Sequence, residues 1–272
     1  MTRAFILLFS LASYGLFLLV FCYLLAFLVN LPDTAIGERV AALDQWVPYT
    51  IDAGRPAPPL LPALLVNLGL IALFGLQHSV MARQGFKRLW TRLVGCAAER
   101  SVYVLASSVI LAVVMWGWQP MPAPRIWAAD SAAGVAFGYG VLGLGVVILL
   151  WSTFLIDHFD LFGLRQAVAA WQGRTPGSPR FMTPMLYRLV RHPLYLGWFL
   201  IFWGTPVMSA GHLLFAAGMT GYIFVAIRYE ERDLVALHGA DYQRYREQVP
   251  MVVPVPGRRY RADWQSDTAS EG

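Results

Sequence analysis

The chain has 272 residues, 57% of them hydrophobic and only 14% charged, against about 25% charged in an average soluble domain. With a mean hydropathy of +0.53, this excludes an ordinary soluble globular protein and indicates a polytopic membrane protein. The net charge of +5 does not point to nucleic acid: the arginines fall in clusters between apolar runs, as topology determinants do, and form no continuous basic stripe.

From Ala4 to Pro32 there is no Asp, Glu, Lys or Arg, ample for one helix through a hydrocarbon core about 30 Å thick. Phe5–Val29 is too long for a signal-peptide core and lacks a clear small-x-small cleavage site, so it reads as a retained span. The next segment carries Pro48, Pro56, Pro58 and Pro59 among mixed charges and reads as a loop, with a short interfacial helix expected around Ala35–Trp46. A second charge-free run extends from Pro56 to Ala82 and contains the ionisable His78; a third runs from Ser101 to Pro124. The fourth, Ser131 to Ile156, contains Gly134, Gly138, Gly140, Gly143 and Gly145, which permit close backbone approach between helices where lipid offers no hydrophobic contrast. Cys22 and Cys96 show no CxxC or Cys/His spacing, so neither a disulfide scaffold nor a thiolate metal site is expected.

The last charge-free run, His192 to Ile227, is 36 residues, roughly 54 Å of helix and slightly under two crossings. Gly204, Pro206 and Gly211 interrupt it, predicting a tight helical hairpin of about 194–208 and 212–227. Basic residues crowd alternate connections. Arg83, Lys87, Arg88, Arg92 and Arg100 lie in one, Arg165, Arg174, Arg180, Arg188 and Arg191 in another, and Arg228, Arg232, Arg244, Arg246, Arg258, Arg259 and Arg261 in the tail. The intervening connections hold Arg39 and Arg55, then Arg125, then none. The positive-inside rule places both termini and the basic connections in the cytoplasm. The expected architecture is an all-α polytopic bundle of five to six transmembrane helices with a C-terminal hairpin, and the tail after Arg261 reads as disordered.

A hairpin returns to its starting side, so the polar clusters at its two ends meet on the cytoplasmic face. The first is Arg191-His192-Pro193. Proline disfavours helical geometry at His192 and suits the first position of the following helix, which sets Arg191 and His192 beside the unpaired N–H groups of a helix start, where anions bind. Tyr195 and Trp198 follow, and Gly197 leaves room for a ligand. The second cluster places Glu230 and Glu231 just past the hairpin's second helix, where adjacent carboxylates need solvent or cations. Taken singly, Arg191, Arg228 and Arg232 read as topology anchors, and Tyr195, Trp198, Tyr242 and Tyr245 as interfacial aromatics. Together they make a pocket for a zwitterionic, nucleotide-like molecule. S-adenosylmethionine has the required parts, though the residues alone do not select it over other cytosolic ligands.

Arg191-His192-Pro193-Leu194-Tyr195-Leu196-Gly197, the hairpin, Glu230-Glu231-Arg232-Asp233-Leu234, and Gly239-Ala240-Asp241-Tyr242-Gln243-Arg244-Tyr245 with Val249-Pro250 resemble the C-terminal module of integral-membrane methyltransferases. That group includes the isoprenylcysteine carboxyl and phospholipid methyltransferases. Gln77-His78-Ser79-Val80-Met81-Ala82-Arg83 resembles the NnrU-type branch, and the layout is similar to bacterial methanethiol S-methyltransferases. The resemblance implies an enzyme of the bacterial inner membrane that uses S-adenosylmethionine, releases S-adenosylhomocysteine, and converts methanethiol to dimethyl sulfide. It divides the chain into an acceptor-side scaffold (1–186), a cofactor module (187–256) and a polar tail (257–272). It also implies that His192, Tyr195 and Gly197 line the cofactor and that Glu230 and Glu231 hold its polar end. Tyr187, Arg191, Arg228, Tyr229, Tyr242 and Tyr245 are further candidates.

A thiol with a pKa near about 8.5 is mostly protonated at neutral pH, so a base would help its methylation. His78, and Asp157 with His158, lie at the cytoplasmic ends of the second and fourth spans and are the candidate catalytic residues, as a carboxylate–imidazole base above the cofactor. The same residues leave open a lipid or prenyl-cysteine acceptor, which would need a lateral groove, and a non-catalytic NnrU-like accessory protein of nitrogen-oxide metabolism.

Overall fold

A computed structural model describes residues 2–35, 37–40, 42–174 and 182–260; the polar segment expected after Arg261 lies outside them. Among the described residues, five helices are long and apolar enough to cross a membrane: α1 (Arg3–Leu28), α3 (Leu60–Ala82), α5 (Cys96–Gly117), α6 (Ala132–Ile156) and α10 (Ala210–His238). Their outward faces carry exposed Leu8, Leu19, Leu61, Leu76, Leu144 and Phe154, a surface that only lipid covers without penalty. The starts follow local chemistry. The hydroxyls of Thr2, Ser131 and Ser209 accept from the backbone N–H groups of Phe5, Gly134 and His212, satisfying donors that a helix start leaves unpaired.

Short elements complete the chain. α2 (Leu43–Trp46) follows a 3-10 turn at Gly37–Arg39, so the expected interfacial helix is present only in fragments. α4 (Gln84–Val94) turns the basic connection after α3 into a strongly amphipathic helix, the form that suits a membrane surface. α7 (His158–Leu161) and α8 (Leu164–Trp171) follow α6. The hairpin comprises α9 (Pro193–Trp203) and α10, and α11 (Ala240–Gln248) comes last.

Strand β1 (Arg125–Ala128) pairs antiparallel with β2 (Val207–Ser209), with Trp127 opposite Met208 and Ala128 opposite Val207. This pairing joins the hairpin tip to the α5–α6 connection, so the hairpin crosses to the opposite face. At 11 residues, α9 is only about 16 Å long; the extended segment to β2 completes the crossing.

Two features differ from expectation. α10 does not stop at Ile227: it runs 29 residues, roughly 43 Å, to Gly239, whose φ of +57° favours glycine. Glu230 and Glu231 therefore lie within the helix and not beyond it. Gly197 faces another helix. A Cβ there would stand 2.7 Å from the Leu149 nitrogen and 2.8 Å from the Gly145 oxygen, so the space expected for a ligand is filled by the backbone of α6. α9 packs chiefly on α6, α5 lies between α1 and α3, and α10 rests on α3 and α9.

The connections gather at two ends, alternating as the arginine pattern requires. At one end Ile51 N–H donates to Phe27 O, Gly211 N–H to Met121 O, and Asn67 Nδ2 to Gln119 O. At the other, Arg100 Nε donates to Leu161 O (2.7 Å), and Gly163 lies against Ser101.

Candidate functional site

The base of the hairpin is built by a return of the chain. Arg191 and His192 donate their backbone N–H groups to Pro250 O (2.9 Å) and Met251 O (3.0 Å). This anchors the segment after α11 beside the start of α9, where His192 caps and Pro193 opens the helix. Arg191 secures the same junction. Its Nε donates to Glu231 Oε1 at 2.7 Å, and its Nη1 to the carbonyls of Val249 (2.6 Å) and Arg246 (3.0 Å). Glu231 Oε1 also meets His192 Nε2 at 3.1 Å. The Arg191 and Glu231 side chains are each 9% exposed, so this is a buried, hydrogen-bonded ion pair. Removing either partner from such a pair strands the other's charge.

Behind it lie Tyr242, Tyr245 and Val249, all buried, with Tyr245 Oη donating to Tyr187 O at 2.5 Å. Burial pushes the phenols of Tyr187, Tyr242 and Tyr245 up, and they stay neutral. Arg191, Glu231, Tyr242 and Tyr245 thus hold the hairpin base together from within. Arg228 is exposed on α10, and Tyr229 lies under two guanidinium groups, Arg83 at 4.4 Å and Arg232 at 5.2 Å from its centroid.

Glu230 is disposed differently. Successive helical positions point about 100° apart, and while Glu231 is engaged inside, the Glu230 side chain is 45% exposed. It accepts from Tyr195 Oη at 2.9 Å, with His192 Nδ1 3.9 Å away. Glu230 also acts electrostatically on Tyr187 and Tyr222 of its own half of the chain and on Tyr103 of the front half, so polar groups from both halves stand near it.

His78 belongs to the same cluster. Its Nε2 meets Tyr103 Oη at 2.7 Å and its Nδ1 meets Ser107 Oγ at 3.0 Å. The ring stacks on Phe74 and lies edge-on to Tyr222, 6.1 Å between centroids. Tyr222 reaches α3 because Gly75 has no side chain; a Cβ there would be 3.1 Å from Tyr222 Cδ2. Tyr103, Tyr222 and Arg83 were not singled out from sequence as site residues. The available signal was Tyr103-x-x-x-Ser107, polar groups one turn apart on a single face of an otherwise apolar helix.

His158 stands apart. Its Nε2 meets Tyr14 Oη (2.7 Å) and its Nδ1 meets Thr153 Oγ1 (2.8 Å), among Phe154, Phe159 and Phe162. Burial holds its pKa below the ordinary value, with the nearby Asp157 opposing. Asp157 does not orient it: that carboxylate accepts from Asp160 N–H to cap α7 and pairs with Arg165. The expected carboxylate–imidazole base is not assembled, because two hydroxyls hold the imidazole and the carboxylate serves the turn.

Two cavities, of about 370 and 350 Å³, border the hairpin tip at the opposite end, lined in part by Asn30, Asp52 and Arg125 and by Trp127, Phe137 and Trp203. Neither includes a residue of the Glu230 cluster; the convergence of titratable groups, not cavity size, marks the candidate site.

The chain is 49% identical over 261 residues to methanethiol S-methyltransferase 2 of Bradyrhizobium diazoefficiens, covering 96% of this chain and 94% of the relative. It is 46% identical over 258 residues to methanethiol S-methyltransferase of Mycobacterium tuberculosis, covering 95% and 99%. A more distant likeness, 33% over 181 residues, covers 63% of this chain and 62% of Nurim of Xenopus laevis. No family model and no solved structure matches.

Proposed function

The chain belongs to the methanethiol S-methyltransferase family, and we propose that it transfers the methyl group of S-adenosylmethionine to methanethiol, giving dimethyl sulfide. The observation that carries this reading is the cluster at Glu230: Tyr195 and His192 of the hairpin base stand beside it, and Tyr222 of α10 lies edge-on to His78 of the front half, which Tyr103 contacts in turn. The cofactor module is assigned to 187–256, at the cytoplasmic face of the inner membrane, on the strength of the basic connections that gather there.

The residues fit the cofactor. A half-exposed carboxylate with a single tyrosine donor suits an ammonium or ribose hydroxyls. His192 stands at the N-cap of α9, and the surrounding aromatics suit a base. When bound, S-adenosylmethionine supplies a methyl group already activated on a sulfonium. What remains for the chain is alignment, exclusion of water and removal of the thiol proton. His78 and Tyr103 are assigned that last task. With Nε2 accepting from Tyr103 O–H and Nδ1–H donating to Ser107, the thiol proton passes to the Tyr103 oxygen as the tyrosine proton passes to Nε2. Thiolate and imidazolium result, with Tyr103 restored to a phenol.

A small acceptor is favoured over a lipid or prenyl chain by the closeness of α3 and α10. A Cβ on Gly218 would lie 2.8 Å from Ile71 Cδ1, one turn from the Gly75–Tyr222 contact, which opposes a lateral groove at the level of His78. The test is incubation of the purified protein with methyl-labelled S-adenosylmethionine and either methanethiol or a prenyl-cysteine. Labelled dimethyl sulfide in the headspace is expected. Cofactor binding with no turnover on thiols would sink the substrate assignment.

A further inference from the structure

Among the polar atoms buried in the described residues, Arg83 Nη1 has no hydrogen-bond partner. Its own guanidinium is otherwise well held. Nε donates to Ser79 O at 3.1 Å, and the group lies 4.4 Å over the Tyr229 ring. The residue sits where α3 hands over to α4, and its position is therefore set by two helices. A buried guanidinium nitrogen without an acceptor is unfavourable, and guanidinium is the side chain whose geometry best matches carboxylate and phosphate oxygens. Arg191, the arginine at the hairpin base, has its Nε and Nη1 engaged by Glu231 and the carbonyls of Arg246 and Val249. Arg83 is therefore the better placed to receive an anion.

Its surroundings narrow the ligand. Arg83 lies over the ring of Tyr229, the residue before the half-exposed Glu230, and both charges act on Tyr222. A cation and a carboxylate that share these neighbours complement the two charges of an α-amino-acid group, carboxylate toward Arg83 and ammonium toward Glu230. A phospholipid phosphate would satisfy Nη1 alone and leave Glu230 without a role.

We propose that Arg83 is a ligand-binding residue that receives, through Nη1, the carboxylate of the cofactor's amino-acid end, opposite Glu230. The proposal rests on the cofactor assigned above. The decisive probes are S-adenosylhomocysteine and 5′-methylthioadenosine, which share the adenosine and thioether but differ in the amino-acid end. Their affinities are measured by calorimetry for the full chain in phospholipid-free detergent and in nanodiscs containing anionic phospholipid. Arg83→Gln is expected to weaken S-adenosylhomocysteine binding about tenfold to a hundredfold while leaving methylthioadenosine unchanged. Arg83→Lys, which keeps the charge without the fork, is expected to fall between.

The ratio of the two affinities in one preparation guards against partial unfolding. Equal loss of both ligands, or loss of neither, in Arg83→Gln overturns the proposal, as does a wild-type preference for S-adenosylhomocysteine that disappears in anionic nanodiscs, which would give Nη1 to a lipid phosphate. If the wild-type chain binds neither compound, the cofactor assignment itself falls.

Discussion

Gly197→Ala separates two meanings of the same glycine. The added methyl would lie 2.7 Å from Leu149 N, 2.8 Å from Gly145 O and 2.9 Å from Leu149 Cα, whereas carbon contacts settle at about 3.5–4.0 Å. All three atoms are backbone or bonded to it, so no side chain can swing aside, and α9 must move about 1 Å from α6 at the contact. Overpacking of this kind costs about 1–3 kcal/mol, and rigid neighbours place this site at the upper end. At about 2–4 °C per kcal/mol for a chain of this size, the melting temperature should fall by roughly 6–12 °C. Gly145→Ala meets Gly197 O at 2.7 Å and Ile201 N at 2.8 Å. Because it forces the same separation, the double variant should lose less than the sum. The assay is thermal unfolding of the detergent-solubilised protein, paired with S-adenosylhomocysteine binding well below the transition. A Gly197→Ala protein that melts like wild type yet no longer binds would refute the packing argument and return the glycine to the ligand.

Arg191→Ala should destabilise the protein by about 3–5 kcal/mol by leaving Glu231 buried without its cation, and limited proteolysis should then cut the segment beyond Pro250, which the guanidinium holds through the Val249 carbonyl; a resistant segment would contradict the clamp. Tyr103→Phe should lower turnover on methanethiol by about 10²–10⁴-fold with cofactor affinity kept, and a turnover unchanged at neutral pH would remove Tyr103 and His78 from proton transfer. His158 has a folded pKa below its ordinary value of 6.5, so the unfolded chain binds its proton first as pH falls. The contribution is complete above 6.5 and is lost on acidification through the folded pKa. His158→Asn should flatten the decline in melting temperature between neutral and mildly acidic pH, and an unaltered slope would assign that decline to other groups.

The membrane spans were legible because a bilayer penalises charge so heavily that charge-free runs mark the helices almost by themselves. The same signal misplaced the end of α10. Charge reports where lipid stops, whereas the helix continues into water until Gly239 supplies a backbone that can leave it. That difference matters at the candidate site, because successive side chains of a helix point about 100° apart, which leaves Glu230 open beside Tyr195 and Glu231 closed on Arg191. The helix start after His192 was legible through proline chemistry at Pro193, a local rule. What was not legible depended on partners distant in sequence. His158 is satisfied by Tyr14, 144 positions away, so no reading of Asp157-His158-Phe159-Asp160 alone could show that the imidazole was already held. Nor could the chain reveal which arginine keeps a free nitrogen. Arg191 and Arg83 are each a cation at a membrane boundary, and only the carbonyls of Arg246 and Val249, returned to the hairpin base by α11, distinguish the clamp from the guanidinium we propose as the anion's partner.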